Sequence, residues 1–201
     1  LGIRIVGDIP IYVSDDSVDV WCNTKLFDLD ENLCPRVVAG CPPDAYSADG
    51  QLWGMPVYNW EYMKTEKKPY SWWRARISHA LKIYDTVRID HFRGLESYYC
   101  IKYGSKNAKK GKWRKGPGPE LFEYFRKDHG KNKKLPIIAE DLGYLTPEVR
   151  KLLEDTGLPG MKVLQFAFDP SGKSDYLPHN HIRNCVVYTG THDNDTVMGW
   201  V

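Results

Sequence analysis

No apolar run in this chain approaches the ~18 residues that a helix needs to cross a bilayer, so neither a membrane span nor a membrane partner is expected. Cysteine is scarce and unpatterned. Cys22, Cys34, Cys41, Cys100 and Cys185 are odd in number, and no two are spaced as C-x-x-C. That speaks against a disulfide framework or a structural zinc site and fits a reducing compartment. No Gly-rich phosphate loop follows any apolar strand-like run, which removes the usual nucleotide fingerprint. Net charge is nearly absent as well, +2 over 201 residues. It is unevenly spread: residues 102–134 carry +9 and the remainder −7. A run of this kind reads as a solvated loop and helix face, so no nucleic-acid partner is expected.

What is present is a composition that is 42% hydrophobic, enough for the core of one domain or of part of a larger one. The chain opens on Leu1 and runs at once into a strand-like stretch, and it closes on Gly199-Trp-Val201 as a helix begins. Both ends are therefore expected to be cut.

Three apolar runs stop at a carboxylate: DTVRID at 85–90, IIAE at 137–140 and CVVYTGTHD at 185–193. A fourth, IRIVGD at 3–8, does the same. Side chains alternate along a strand, so Val87 and Ile89 share one face and Arg88 and Asp90 the other. Helical patterns lie between these runs. Residues 71–84 carry Trp73, Ile77, Ala80, Leu81 and Tyr84 at helical spacing, with Ser71 as the expected cap. Residues 116–130 start a helix with Pro119 in its first turn and end it at Gly130. Residues 146–157 read as Thr146 cap, Pro147 first position and Gly157 past the end. Residues 161–168 and 184–189 are further strands, and residues 22–70 and 95–116 read as irregular loop. Strands alternating with helices predict an α/β fold with a parallel sheet. An open doubly wound sheet fits the strand count. Carboxylates at several strand ends favour a closed (β/α)8 TIM barrel, which collects its active groups at that face.

In such a barrel two of these acids flank a glycosidic bond. A pair about 5–5.5 Å apart gives a retaining mechanism and a wider pair an inverting one. Clustered carboxylates also suit a divalent metal. Arg88 beside Asp90 and His192 beside Asp193 compete with one, so neither a metal nor a cofactor is expected. Structural roles stay open for each residue: Asp90 in an ion pair with Arg88, Asp8 capping a turn after Gly7, and Glu140-Asp141 as the anion at the next helix's start.

At these residues the chain resembles the 4-α-glucanotransferases, the amylomaltase or disproportionating-enzyme family (glycoside hydrolase family 77, α-amylase clan). The matching stretches include GDIPIYV at 7–13, GCPPDAYS at 40–47, GQLWGMPVY at 50–58, RIDHFRG at 88–94, AEDLG at 139–143 and TGTHDNDT at 189–196. The resemblance implies a barrel entered at about its third strand and left at about its seventh. Residues 1–201 are then a partial catalytic domain, truncated at both ends. It implies transfer of a 1,4-α-glucan segment to the 4-hydroxyl of an acceptor by a retaining double displacement, in the cytoplasm. The partners it implies are α-1,4-glucans, maltooligosaccharides and glucose. Asp90 matches the nucleophile, Glu140 the general acid/base and Asp193 the transition-state stabiliser. Asp8, Arg88 and His192 match groups around the donor sugar, and Asp44, Gln51 and Trp53 match a loop peculiar to the family. Ala45-Tyr46 stands where some members carry two aromatics, and Met55 where some carry Asn. On this reading the charge of Asp90 is what raises the pKa of Glu140. A hydrolytic amylase and a non-catalytic glucan-binding domain are the alternatives.

Overall fold

The computed structural model describes residues 2–44, 47–130, 134–143, 145–168 and 174–201. In chain order its elements are β1 (Val6–Ile9), α1 (Val18–Cys22), β2 (Val37–Cys41), β3 (Gln51–Pro56), α2 (Trp60–Thr65), α3 (Ser71–Ile83), β4 (Thr86–Ile89), β5 (Ser97–Lys102), β6 (Lys112–Lys115), α4 (Pro119–His129), β7 (Ile137–Ala139), α5 (Pro147–Thr156), β8 (Gly160–Val163), β9 (Cys185–Tyr188) and α6 (Val197–Trp200), with short 3₁₀ turns between. The fold is mixed α/β. No helix among the described residues is long and apolar enough to cross a membrane.

Three strands pair in parallel in the order β1-β4-β7. Their register sets Asp8 beside Arg88 and Arg88 beside Ile138. A second parallel pair, β8-β9, joins this sheet through one bond, Ala139 N–H to the Pro159 carbonyl at 2.9 Å. The expected alternation holds on β4. Val87 and Ile89 are fully buried against α3 and α4, in one core with Trp73, Ile77, Phe122 and Phe125, while Arg88 lies on the other face. Local chemistry sets the helix ends. Thr146 Oγ1 accepts from Val149 N at 3.4 Å to start α5, and Gly157, at φ 64°, ends it in the left-handed region.

Three expectations are corrected. Ser71 is not the cap of α3. Tyr70 takes that position, at φ 54°, and the Glu66 carboxylate reaches forward to Ser71, accepting from its N at 3.3 Å and its Oγ at 3.1 Å. The run at 161–168 is a strand only to Val163, and Leu164–Ala167 tightens into 3₁₀. The two "loops" each contribute two strands, which meet in an antiparallel sheet of order β3-β2-β5-β6. Their signal was hidden for a physical reason. The three central residues of β2 and four of β5 are buried without alternation, every residue of β6 is exposed, and Val37 finds its partner only at Lys102.

Trp73 is fully buried and its ring meets those of Tyr58, Trp60 and Trp72. Trp73→Ala is expected to cost about 3–5 kcal/mol. Denaturant unfolding of the whole protein checks this, and a loss below about 1 kcal/mol would mean that the aromatic cluster is not structural.

Candidate active site

The site begins with a guanidinium. Arg88 Nη1 lies 2.7 Å from Asp8 Oδ1 and 3.0 Å from Asp90 Oδ1, and Nε lies 3.2 Å from Met161 Sδ. Its side chain is 12% exposed. Burial works against its charge, but the bond to Asp8 and the fields of Asp8, Asp90 and Glu140 prevail and raise its pKa. One arginine thus ties β1, β4 and β8 together and fixes the nearest oxygen of Asp90.

The parallel ladder runs one residue past the named strands. Asp90 N donates to the Ile9 carbonyl and Glu140 N to the Ile89 carbonyl, each at 3.0 Å. With neighbouring strands about 4.8 Å apart, Asp90 and Glu140 are side by side although 50 residues separate them in sequence. Two backbone amides hold the carboxylate of Glu140, His91 N on Oε2 at 2.8 Å and Leu142 N on Oε1 at 2.6 Å. Its pKa is raised. Burial is the leading cause, the two amides oppose it, and Asp90 adds a smaller push. The charge of Asp90 raises it as expected, and desolvation raises it more.

Asp141 is corrected too. It does not serve the next helix. It is buried, and Oδ1 accepts from Met161 N at 2.6 Å, pinning the start of β8 to the end of β7. A Cβ on Gly160 would sit 2.6 Å from that carboxylate, so only glycine leaves it room. Asp141 thereby positions Met161, whose sulfur accepts from Arg88.

The β2–β3 hairpin brings Trp53 over this end. Trp53 Nε1 donates to Gln51 Oε1 at 2.9 Å, and its ring stands edge-on to His91, with centroids 4.8 Å apart. Tyr12 packs 6.3 Å away on another side. Together with Ile11, Met55 and Asp90 these residues line an open cavity of about 320 Å³. Asp44 accepts from Ser47 N at 2.8 Å in a turn and does not line that cavity. Ala45 and Tyr46 lie outside the described residues. A larger cavity, about 690 Å³, opens at the other end of the strands between Tyr84 and Pro136 and contains none of these residues.

Asp193 and His192 sit in a turn beyond β9, where Thr191 N and Oγ1 both donate to Asn194 Oδ1, at 2.9 and 3.0 Å. His192 Nε2 is 3.5 Å from Asp193 Oδ1 and both side chains are largely exposed. Among the described residues neither makes a hydrogen bond or ion pair with Asp90 or Glu140. The structure therefore brings together Asp8, Arg88, Asp90 and Glu140, with Trp53 and Gln51 close by, while among the described residues His192 and Asp193 make no hydrogen bond or ion pair with them. Among the described residues no group of three His, Cys, Asp or Glu is placed to hold a metal ion.

Sequence reasoning missed His91. It takes a left-handed backbone, φ 52°, which aims its N–H at Glu140. Burial, aided by the charge of Arg93, lowers its imidazole pKa to about 4, so the ring is neutral at physiological pH. Its place between Asp90 and Phe92 in the strand-end motif was the available signal.

The whole chain, residues 1–201, matches the family model described as 4-alpha-glucanotransferase. It is similar to the 4-alpha-glucanotransferase of Clostridium butyricum, 55% identical over 199 residues that cover 98% of this chain and 40% of that protein. The Thermus thermophilus 4-alpha-glucanotransferase is 50% identical over 202 residues, covering 100% of this chain and 39% of that one. Among solved structures, amylomaltase from Streptococcus agalactiae in complex with acarbose superposes with a TM-score of 0.92 at 48% identity, over 99% of this chain and 39% of that one. The chain spans about two fifths of the length of the curated relatives it matches.

The pKa of Glu140 makes a testable statement about stability. Its folded value is raised above the ordinary 4.5. Stability from this group is complete below the unfolded value and is lost as pH rises through the folded one. Glu140→Gln keeps the neutral shape without titrating. Its Tm relative to the parent is expected to climb as pH rises above the ordinary 4.5 of the unfolded carboxyl. A gap that does not change with pH in paired melts of the whole protein removes burial as the cause.

Proposed function

This chain belongs to the 4-alpha-glucanotransferase family, and from that we propose that the whole protein transfers a segment of a 1,4-α-D-glucan to the 4-hydroxyl of an acceptor glucan or glucose. Residues 1–201 form part of its catalytic (β/α)8 barrel, from about the third strand to the seventh; the parallel sheets β1-β4-β7 and β8-β9, linked by the Ala139–Pro159 bond, support this. The observation that carries the reading is the adjacency of Asp90 and Glu140 at neighbouring strand ends. A backbone spacing of about 4.8 Å suits the 5–5.5 Å between carboxyl groups in retaining enzymes.

In the first step Glu140, whose protonated form burial favours, gives its proton to the glycosidic oxygen. Asp90, steadied by Arg88, attacks the anomeric carbon, and the bond to the leaving sugar breaks. The product is a glycosyl ester on Asp90. That ester has no charge, so one cause of Glu140's raised pKa disappears. Glu140, now ionised, takes the proton of the acceptor's hydroxyl as it displaces Asp90. Asp193 and His192 grip the donor ring as it flattens, with Asp8 behind Arg88. Trp53, with Gln51 fixing its indole and Asp44 shaping the loop before it, gives the acceptor a surface that keeps water out. The substrates are α-1,4-glucans, maltooligosaccharides and glucose, no cofactor takes part, and the reducing cytoplasm suits five free cysteines.

The whole protein incubated with maltotriose is expected to yield glucose and oligomers longer than the donor. Glu140→Gln is expected to lower that rate by about 10²–10⁴. Glucose and maltose with no elongation would replace this reading with a hydrolase, and an unchanged rate in the variant would replace it with a binding domain.

A further inference from the structure

Arg88 makes one contact that charge balance does not require. Its Nη1 serves two carboxylates, Asp8 at 2.7 Å and Asp90 at 3.0 Å. Its Nε donates instead to a thioether, Met161 Sδ, at 3.2 Å. A guanidinium is a planar fork. Held at Nη1 alone it can swing about that point. Held at Nε as well, its plane is fixed. The sulfur is therefore the second anchor of the group that steadies Asp90.

The chemistry of this acceptor suits the place. Arg88 already lies in the fields of Asp8, Asp90 and Glu140. A further carboxylate at Nε would divide its charge among more anions and set another negative charge beside the nucleophile. A hydrocarbon there would leave the Nε–H without a partner on a side chain only 12% exposed. A thioether accepts weakly and carries no charge, so it orients the fork and leaves the charge to the acids.

Methionine is flexible, and a loose one would anchor poorly. This one is 2% exposed. Its N–H donates to Asp141 Oδ1 at 2.6 Å, and just ahead of it the Pro159 carbonyl accepts from Ala139 N at 2.9 Å. Parallel pairing with Val186 holds β8 from the other side. We infer that Met161 is a positioning residue for the transfer reaction: its sulfur, held by β8 and Asp141, sets the plane of Arg88 and through it the carboxylate of Asp90. This deepens the transferase reading above and rests on it. No bond chemistry changes.

The test sets hydrogen bonding against packing. If Met161 only fills space, Met161→Leu conserves volume and apolarity and is harmless, while Met161→Gln buries an amide and does the damage. A positioning role reverses that order for catalysis. With the whole protein acting on maltotriose, Met161→Leu is expected to lower kcat about tenfold or more, with KM within about twofold of the parent's and Tm unchanged. Met161→Gln, whose amide oxygen can accept from Nε, is expected to turn over at least about threefold faster than Met161→Leu, even with a lower Tm. A Met161→Leu enzyme as fast as the parent, a Met161→Gln enzyme no faster than Met161→Leu, or a loss that falls on KM alone overturns the proposal and leaves the transferase reading standing. A loss in Met161→Leu that matches a loss of folded protein assigns the residue to packing and overturns it too. Absence of transfer by the parent overturns both readings.

Discussion

One guanidinium organises this end of the molecule. Arg88 projects from the middle strand of three, on the face that α3 and α4 do not cover, and reaches carboxylates on two strands and a sulfur on a third. Such a charge is tolerated away from water only because several acceptors converge on it. The convergence is built by register: the pairing of β1 with β4 sets Asp8 beside Arg88, and two residues along the same face comes Asp90. Shifting β4 by one residue in that register would turn Arg88 and Asp90 to the core side. The polar cluster and the hydrophobic core are therefore two faces of one constraint.

Glu140 depends on that constraint in a different way. The charge of Arg88 offsets its burial only in small part. Its oxygens are taken by main-chain amides on either side, one from the turn after β4 and one from the turn after β7. The acid is thus held by two loops whose origins are fixed by the sheet. Asp141, one residue on, faces the opposite way and anchors β8. Adjacent acids of similar charge have unrelated jobs because a strand sends successive side chains to opposite faces. The antiparallel sheet completes the arrangement from outside, placing Trp53 against His91. It is built from two hairpins, β2-β3 and β5-β6, that join through β2 and β5.

How much of this was legible differs by element, for physical reasons. α4 and α5 announce themselves, since Pro119, Thr146 and Gly157 act on their own backbone within a turn or so. The start of α3 was misread because its terminal N–H is satisfied by Glu66, five residues back, and not by an adjacent hydroxyl. β2 and β5 were read as loop because they bury their central residues without alternation and pair with each other about 60 residues apart, and β3 and β6, their hairpin partners, are mostly exposed and carry no apolar alternation. The strand-end acids were visible as residues, but their spacing in sequence says nothing about contact, and it is the pairing of β4 with β7 that sets Asp90 beside Glu140. The source of Glu140's raised pKa was not visible, because burial is a property of the packed molecule. The role of His91 was hidden by its backbone: sequence does not reveal which histidine will enter the left-handed region and turn its amide toward a neighbour.

The burial of His91 has one more implication. With its imidazole titrating near 4, this ring carries no charge anywhere between mild acidity and mild alkalinity. A curve of rate against pH over that interval records the ionisation of other groups, and an inflection near neutrality would not be the signature of this histidine, despite its seat beside both acids. The ring serves as an uncharged spacer between indole and carboxylate, unmoved by mild acidification.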